Sequence, residues 1–177
     1  MTPRSLTRTI VATAAAGAIA AGATAAPGQP ATTALKKITP AGVGQVKLGK
    51  TFAQMRDKHL VGKLRDGCEL SGPNTKFSKL RSPLRGTVDW TKTSTRRVRR
   101  VTVTGGSATA RGVGIGDKLA AIKAAFPKAK VDHAAEPIFQ ITLVKIPKDG
   151  GGRMWFGIPT DTKKISMIGV PNLSFCD

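Results

Sequence analysis

The chain has 177 residues and a mass of 18.5 kDa, and 40% of its residues are apolar while 22% are charged. This balance excludes a disordered tail, a collagen and a multi-span membrane protein. The 29 basic residues outnumber the 10 acidic residues and give a formal charge of +19. Two cysteines are too few for a disulfide-dense miniprotein or a four-cysteine zinc site.

Residues 1–25 have the pattern of a secretory signal peptide. Arg4 and Arg8 precede an alanine-rich apolar stretch, and Ala23-Thr24-Ala25 offers small residues for cleavage. A transmembrane anchor is the alternative, although alanine adds little to the free energy of membrane insertion. We therefore expect a secreted, extracellular product without a membrane span. Association with the cell wall is compatible with this location. Residues 26–37 follow as a flexible linker.

An internal repeat is the most informative feature of the sequence. Residues 46–56 align with residues 113–123 at an offset of 67, and the apolar positions, one glycine and the terminal cation correspond. The same offset places Val101 on Ile168. We therefore predict two tandem repeats of about 67 residues, residues 38–104 and residues 105–177, the second with a C-terminal tail.

Each repeat is predicted to begin with a short helix. Thr51 and Asp117 are candidate N-caps. Large side chains recur at helical spacing behind both caps: Phe52, Met55 and His59 in the first repeat, and Leu119, Ile122 and Phe126 in the second. Pro127 ends the second helix. These helices are expected to pack on one face of antiparallel strands, which makes the fold class α+β.

The strands are predicted from β-rich runs bounded by proline and glycine. They cover residues 86–90 and 97–104 in the first repeat, and residues 138–146, 154–156 and 164–170 in the second. Residues 149–152 are expected to form a hairpin loop that leads into the strand at 154–156. The apolar spacing breaks strict alternation once in each closing strand, which a β-bulge or a late strand start would explain.

The stretch 42–51, Gly-Val-Gly-x-Val-x-Leu-Gly-x-Thr with a helix behind it, resembles secreted actinobacterial proteins of unassigned function. Residues 112–117 are its second copy, and Gly49 and Gly116 match best. The repeated helix-then-sheet plan also resembles the β-lactamase inhibitory proteins and the small lipoprotein of the outer-membrane barrel-assembly machinery. The resemblance implies tandem helix-plus-sheet units with a structural turn at each of these two glycines. Inhibition of an extracellular enzyme is one function that it implies.

The two cysteines, Cys68 and Cys176, are expected to form a disulfide, because export places them in an oxidising compartment. Such a bridge would tie the first repeat to the C-terminus. A thiol nucleophile or two free thiols are the alternatives, although neither His59 nor His133 lies in a recognised local signature.

Motifs for cofactors and catalysis are weak. Gly112, Gly114 and Gly116 superficially resemble a dinucleotide fingerprint, but the third required glycine would fall on Asp117. Two histidines without an HxxxH spacing, and dispersed acids, give no metal site and no catalytic pair. We predict no metal, no cofactor and no assignable catalytic residue, while a hydrolase without a local motif stays an alternative.

The basic charge is the remaining indication of function. Six cations at the starts of the two closing strands form the predicted anion-binding set: Arg96, Arg97, Arg99, Arg100, Lys163 and Lys164. We expect a monomeric, non-catalytic binding module that uses a basic face or a concave sheet. Its partner would be an anionic extracellular polymer, an anionic surface or an acidic protein, rather than a specific nucleic acid. Solubility alone is the competing explanation for the charge.

Overall fold

A computed structural model describes residues 36–106 and 108–175. The predicted signal peptide, most of the predicted linker and Cys176 lie outside these residues. The strands are β1 (Lys36–Thr39), β2 (Gly42–Val43), β3 (Val46–Lys47), β4 (Arg65–Asp66), β5 (Lys76–Lys79), β6 (Arg85–Trp90), β7 (Val98–Gly105), β8 (Ala108–Ala110), β9 (Val113–Gly114), β10 (Lys130–Asp132), β11 (Ile141–Ile146), β12 (Met154–Pro159) and β13 (Met167–Val170). The α-helices are α1 (Phe52–Asp57), α2 (Leu119–Ala125) and α3 (Glu136–Phe139), and short 3₁₀ helices cover Glu69–Ser71 and Lys148–Gly150.

Two sheets organise the described residues. The larger is an eight-stranded antiparallel sheet in the order β10-β11-β12-β13-β7-β6-β5-β4. The smaller has the order β3-β2-β1-β8-β9, with β1 and β8 parallel. The fold class is therefore α+β with sheet predominating, as expected from the sequence.

The middle of the large sheet is the pairing of β7 with β13. Thr102 lies opposite Gly169, with Val101 opposite Val170 and Val103 opposite Ile168. Strands β4–β7 therefore make one half of the sheet and strands β10–β13 the other, called here the first and second halves.

The main core lies between the large sheet and the helices α1 and α2. Met55 of α1 and Ile122 of α2 are buried in the same cluster as Trp90 and Phe156. The ring of Phe52 meets Trp90 edge-on at 5.1 Å between centroids. Because the aromatic side chains bury the largest apolar areas, these contacts fix both helices on the same face of the sheet.

The helix starts differ in how they are capped. Thr51 is the N-cap of α1 as predicted, and forms a capping box with Gln54. The prediction that Asp117 caps α2 is wrong, because Lys118 occupies the N-cap position without a side-chain bond. The Asp117 carboxylate instead accepts a hydrogen bond of 2.8 Å from the backbone N–H of Gly114, in the turn before the helix.

Two other element predictions are corrected. His59 does not extend the apolar face of α1, because the helix ends at Asp57 and His59 is an exposed residue with φ of 52°. The strand predicted over 138–146 begins only at Ile141. Residues Glu136–Phe139 form α3 instead, and Gln140 closes it in the left-handed conformation. Proline at the second position of α3 favours helix at that point.

The broken alternation of the two closing strands has two different causes. In β7 the pairing with β6 shifts between Asp89 and Trp90, so that Arg99 is the extra residue of a β-bulge. In the second half the strand starts late, at Met167, although Ile165 before it is already buried.

Candidate anion-binding face

The face of the large sheet opposite α1 and α2 is covered in its second half. Leu173 and Phe175 of the C-terminal segment pack there against Leu143, Trp155 and Met167. Phe139 of α3 joins them, and its ring stacks on Phe175 at 4.5 Å between centroids. This small apolar cluster closes this face of the second half to large ligands.

The same face of the first half carries cations. Successive strand residues point to opposite sides, so Thr87 faces away from its core neighbour Val88. Thr87 lies opposite Lys79 on β5, and Arg85 lies two positions away on β6. Arg65 on the edge strand β4 completes the group. We call Arg65, Lys79 and Arg85 the open-face cations.

The open-face cations surround a cavity of about 490 Å³, which Phe77, Leu80, Gly86, Thr87 and Thr104 also line. All three cations are exposed, whereas Thr87 is 5% exposed. The hydroxyl of Thr87 is buried and has no hydrogen-bond partner within the described ranges. The cavity therefore combines positive charge with a buried polar group that no described residue hydrogen-bonds.

The two acids on the strands of the first half are already engaged. Asp66 pairs with Lys76, whose ammonium lowers the pKa of this carboxyl. Asp89 pairs with Arg100, at 2.5 Å between Oδ2 and Nη2. None of the ion pairs formed within residues 36–106 and 108–175 includes an open-face cation. These charges are consequently available to a ligand.

Three of the predicted anion-binding residues lie at the start of β7. Arg96 adopts φ of 43° in the turn before the strand, and Arg97 donates to the carbonyl oxygen of Gly49 at 3.0 Å. Arg99, at the bulge, is exposed and lines a small cavity together with Phe77. Because Phe77 also lines the open-face cavity, Arg99 continues the line of positive charge along the first half.

Arg100 has a different environment from the other predicted cations. Its side chain is only 13% exposed and is paired with Asp89, which is buried to the same degree. Its Nη1 atom also donates to the carbonyl oxygen of Leu173 at 2.7 Å. The guanidinium therefore holds the C-terminal segment against the sheet, and its charge is compensated within the fold.

Lys163 and Lys164 lie apart from the arginines. Both are exposed, and Lys164 forms an isolated bridge with Lys118. Because β7 and β13 are antiparallel, the residues before β7 and those before β13 lie at opposite ends of the pair. At about 3.3 Å per residue, the two groups are roughly 30 Å apart along the strands. The six predicted cations therefore form two separate groups rather than one patch.

Lys163 instead borders a groove of about 600 Å³ in the second half, together with Lys123, His133 and Glu136. His133 Nδ1 lies 2.6 Å from Glu136 Oε1, and the hydroxyl of Thr142 donates to the same oxygen at 2.5 Å. Both contacts lower the pKa of Glu136, with the Thr142 bond the larger cause. The carboxylate stands between imidazole and hydroxyl, so the imidazole does not contact the hydroxyl that a nucleophilic mechanism would deprotonate.

The predicted turn glycines occupy matching backbone positions. Gly49 and Gly116 have φ of 79° and 93°, which favour glycine. Each donates a hydrogen bond of 2.8 Å, Gly49 to the carbonyl oxygen of Val98 and Gly116 to that of Ile165. Both glycines thus join a helix start to the closing strand of its own half.

Cys68 is half-buried, immediately before the 3₁₀ helix Glu69–Ser71. Its predicted partner Cys176 lies outside the described residues, so the pairing stays a prediction. Gly67, beside Cys68, shares a cavity with Arg100, and Arg100 binds Leu173 near the C-terminus. Arg100 thereby holds Leu173 near the small cavity that Gly67, the neighbour of Cys68, lines.

Comparisons with family models, curated proteins and solved structures find no match. The likeness to the secreted actinobacterial and inhibitory proteins therefore stays a prediction. Across residues 36–106 and 108–175, no helix has the length and apolar composition needed to cross a bilayer. The same ranges contain no group of three or more His, Cys, Asp or Glu side chains placed to hold a metal ion. The fold and the site define an α+β protein with one covered and one open half of an antiparallel sheet.

Sequence reasoning missed the open-face cations and Thr87. The alternation of Phe77 and Lys79 on β5 was a usable signal, since both must share one face of a strand. It was weak because β4 has only two residues and nothing in the sequence pairs Arg65 with Phe77. Four arginines within the five residues 96–100 made that cluster more conspicuous.

Proposed function

We propose that the chain is a secreted, non-catalytic binding module that holds an anionic extracellular partner on the open face of strands β4–β7. The observation that carries the proposal is the cavity among Arg65, Lys79 and Arg85, whose charges no acid of the described residues compensates. Positive charge gathered around a cavity in this way attracts anions and speeds their association.

The shape of the basic surface favours an extended partner. Arg99 and the open-face cations lie on either side of Phe77, which lines both of their cavities. A linear polyanion running along the first half would therefore meet several cations in succession. Such multipoint contact gives affinity that depends strongly on salt, because bound counterions are released.

We also propose that each half of the large sheet belongs to one of two tandem repeats of about 67 residues. Backbone pairings separated by that offset support the repeat: Gly42 pairs with Lys47 and Thr109 with Gly114, while the bridge of Thr51 with Arg97 corresponds to that of Lys118 with Lys164. The first residues of α1 and α2, Phe52 and Leu119, are also 67 residues apart. The two repeats would then differ in that an apolar cluster covers this face of the second half, whereas the open-face cavity lies on the first.

A hydrolase is the second candidate, because the groove beside Lys163 gathers an imidazole, a carboxylate and a hydroxyl. The order of its hydrogen bonds supports a hydrolase less than the open face supports binding. Glu136 accepts from both neighbours, so its role in this arrangement is to orient His133 and Thr142.

Retention on immobilised dextran sulfate, compared with uncharged dextran, tests the binding function. The variant Arg65→Gln/Lys79→Gln/Arg85→Gln should bind roughly threefold to a hundredfold more weakly, as expected for three exposed charge contacts. The control variant Lys118→Gln/Lys123→Gln/Lys130→Gln removes the same charge from exposed positions of the second half. Equal losses in the two variants, or retention that added salt does not weaken, would show that net charge alone or another surface is responsible.

A further inference from the structure

The two ends of the large sheet have corresponding strand positions, and a lysine lies on the inner strand at both ends. The side chains around that lysine differ between the two ends. In the first half Arg65 lies opposite Phe77, and Lys79, two residues along β5, lies opposite Thr87. In the second half Asp132 lies opposite Leu143, and Lys145, two residues along β11, lies opposite Trp155. Each pair of positions therefore occupies the same place in its ladder.

Lys145, the second-half lysine, has both a carboxylate and an aromatic ring as partners. The ammonium of Lys145 is paired with Asp132, which lowers the pKa of that carboxyl. The same nitrogen lies 4.5 Å from the centre of the Trp155 ring. Carboxylate and aromatic ring together neutralise and cover this cation.

Lys79, the lysine at the corresponding position of the first half, has neither kind of partner among the described residues. The position of the carboxylate is taken by Arg65, a second cation, and the position of the indole ring by Thr87, a much smaller side chain. The space that a large ring would fill is the open-face cavity, and the buried Thr87 hydroxyl at its wall has no partner within the described ranges. Two cations side by side repel each other, and an anion bound between them would replace that repulsion with attraction.

We infer that the open-face cavity is a site for one tetrahedral oxyanion, a phosphate or sulfate group, held by Arg65, Lys79, Arg85 and the hydroxyl of Thr87. Three cations with no acid among the lining residues match a doubly charged group better than a single carboxylate. Arginine supplies a planar fork for two oxygens, and lysine supplies a point charge for a third. This inference rests on the proposed function, because it names the chemical group that the open face recognises.

The geometry of the strands is compatible with a single small group. Lys79 and Thr87 are directly opposed, so their Cβ atoms lie about 5 Å apart. Arg85 is about 7 Å from Thr87 along the same strand. The guanidinium of Arg85 already lies across Gly105, since a Cβ at Gly105 would come within 2.6 Å of its Nε atom. Backbone packing therefore restricts where Arg85 can extend.

Calorimetric titration of the full-length secreted protein with inorganic phosphate, sulfate and acetate tests the site. We expect one site for phosphate and sulfate, and binding of acetate at least tenfold weaker. Lys79→Gln and Arg65→Gln should each weaken phosphate binding about tenfold, and Thr87→Val by a smaller factor of about three. Lys76→Gln is the matched control, because it removes a charge from the same strand that Asp66 already compensates.

A second variant places the acid and the aromatic residue of the second half at the corresponding positions of the first half. Arg65→Asp/Thr87→Trp should abolish phosphate binding, and an unchanged circular dichroism spectrum and melting transition would show that the loss is not unfolding. Acetate binding as tightly as phosphate, or Lys76→Gln costing as much as Lys79→Gln, would overturn the oxyanion site. Dextran sulfate retention that depends on the open-face cations, without phosphate or sulfate binding, would overturn this inference alone. Absence of both would overturn the proposed function as well.

Discussion

Thr102 lies directly opposite Gly169 at the centre of the large sheet, and these two positions are themselves 67 residues apart. The flanking pairs are Val101 with Val170 and Val103 with Ile168. Adding 67 to the first residue of either pair gives the second residue of the other pair. An antiparallel pairing of two like strands in this register is what a two-fold axis through the Thr102–Gly169 pair produces. The register supports the proposed repeat. Gly169, at its centre, is also closely packed against the backbone of the C-terminal segment.

Replacing Gly169 by alanine should lower the free energy of unfolding. A Cβ at this position would lie 2.2 Å from the carbonyl oxygen of Asn172 and 2.8 Å from the Cα of Leu173. Since these are backbone atoms, the C-terminal segment must shift, and we expect a cost of about 1–3 kcal/mol in urea denaturation. Gly62→Ala is the control, because its nearest neighbour is 3.6 Å away. Equal stability of the two variants would contradict the close packing over Gly169.

Arg100 should contribute to stability rather than to anion binding. Arg100→Met leaves the Asp89 carboxylate buried without its partner, and we expect a loss of about 3–5 kcal/mol in the free energy of unfolding. Arg99→Met, at the exposed neighbouring position, should change it by less than about 0.5 kcal/mol. The double variant Asp89→Asn/Arg100→Met should recover part of the loss, since it removes both charges. A similar effect of the two single variants would show that the ion pair is dispensable.

The proposed pairing of Cys68 with Cys176 predicts that the unreduced protein has no thiol that reacts with Ellman's reagent. Reduction should then expose two thiols and lower the free energy of unfolding by about 4–5 kcal/mol, the value expected for closing a loop of ~100 residues. Cys176→Ser should reproduce the loss of stability without reduction. Two reactive thiols in the unreduced protein would restore the alternative of a free or nucleophilic cysteine.

The hydrogen bonds to Glu136 predict a pH-dependent contribution to stability. Thr142 and His133 lower the pKa of this carboxyl, so its folded form holds a proton less readily than its unfolded form. The stabilisation is therefore complete above the ordinary carboxyl pKa of about 4.3 and disappears as the pH falls through the lower folded value. The melting temperatures of the parent and Glu136→Gln should differ at pH 6 and converge in acid. A constant difference between pH 6 and pH 3 would contradict the assignment.

The sequence was sufficient to predict the elements that short-range chemistry determines. Thr51 with Gln54 caps α1 because a hydroxyl and an amide three residues apart satisfy two helix N–H groups wherever the helix packs. Gly49 and Gly116 mark turns because a positive φ strains any residue with a Cβ. The α+β class followed from the alternation of helical and strand-like spacing, which depends only on neighbouring residues.

The middle of each half could not be aligned from sequence. Ser78 and Val88 pair on the core side of β5 and β6, while Val144 and Phe156 pair on the core side of β11 and β12. The first residues of these pairs are 66 apart and the second are 68 apart, because the loop between β11 and β12 is longer. A shift of one residue turns every side chain of a strand to the other face, so the 67-residue offset pairs core positions with open-face positions there.

The sequence by itself determined a basic chain with an export signal pattern, two matching stretches and the residues that cap and turn them. Only the tertiary structure decided which cations stay available. Arg100 and Lys145 find buried or stacked partners across strands, whereas Arg65 and Lys79 do not. The reason is that the free energy of a charge depends on what lies within a few ångströms of it, and in a sheet those neighbours are set by the register between strands, which the sequence alone does not reveal.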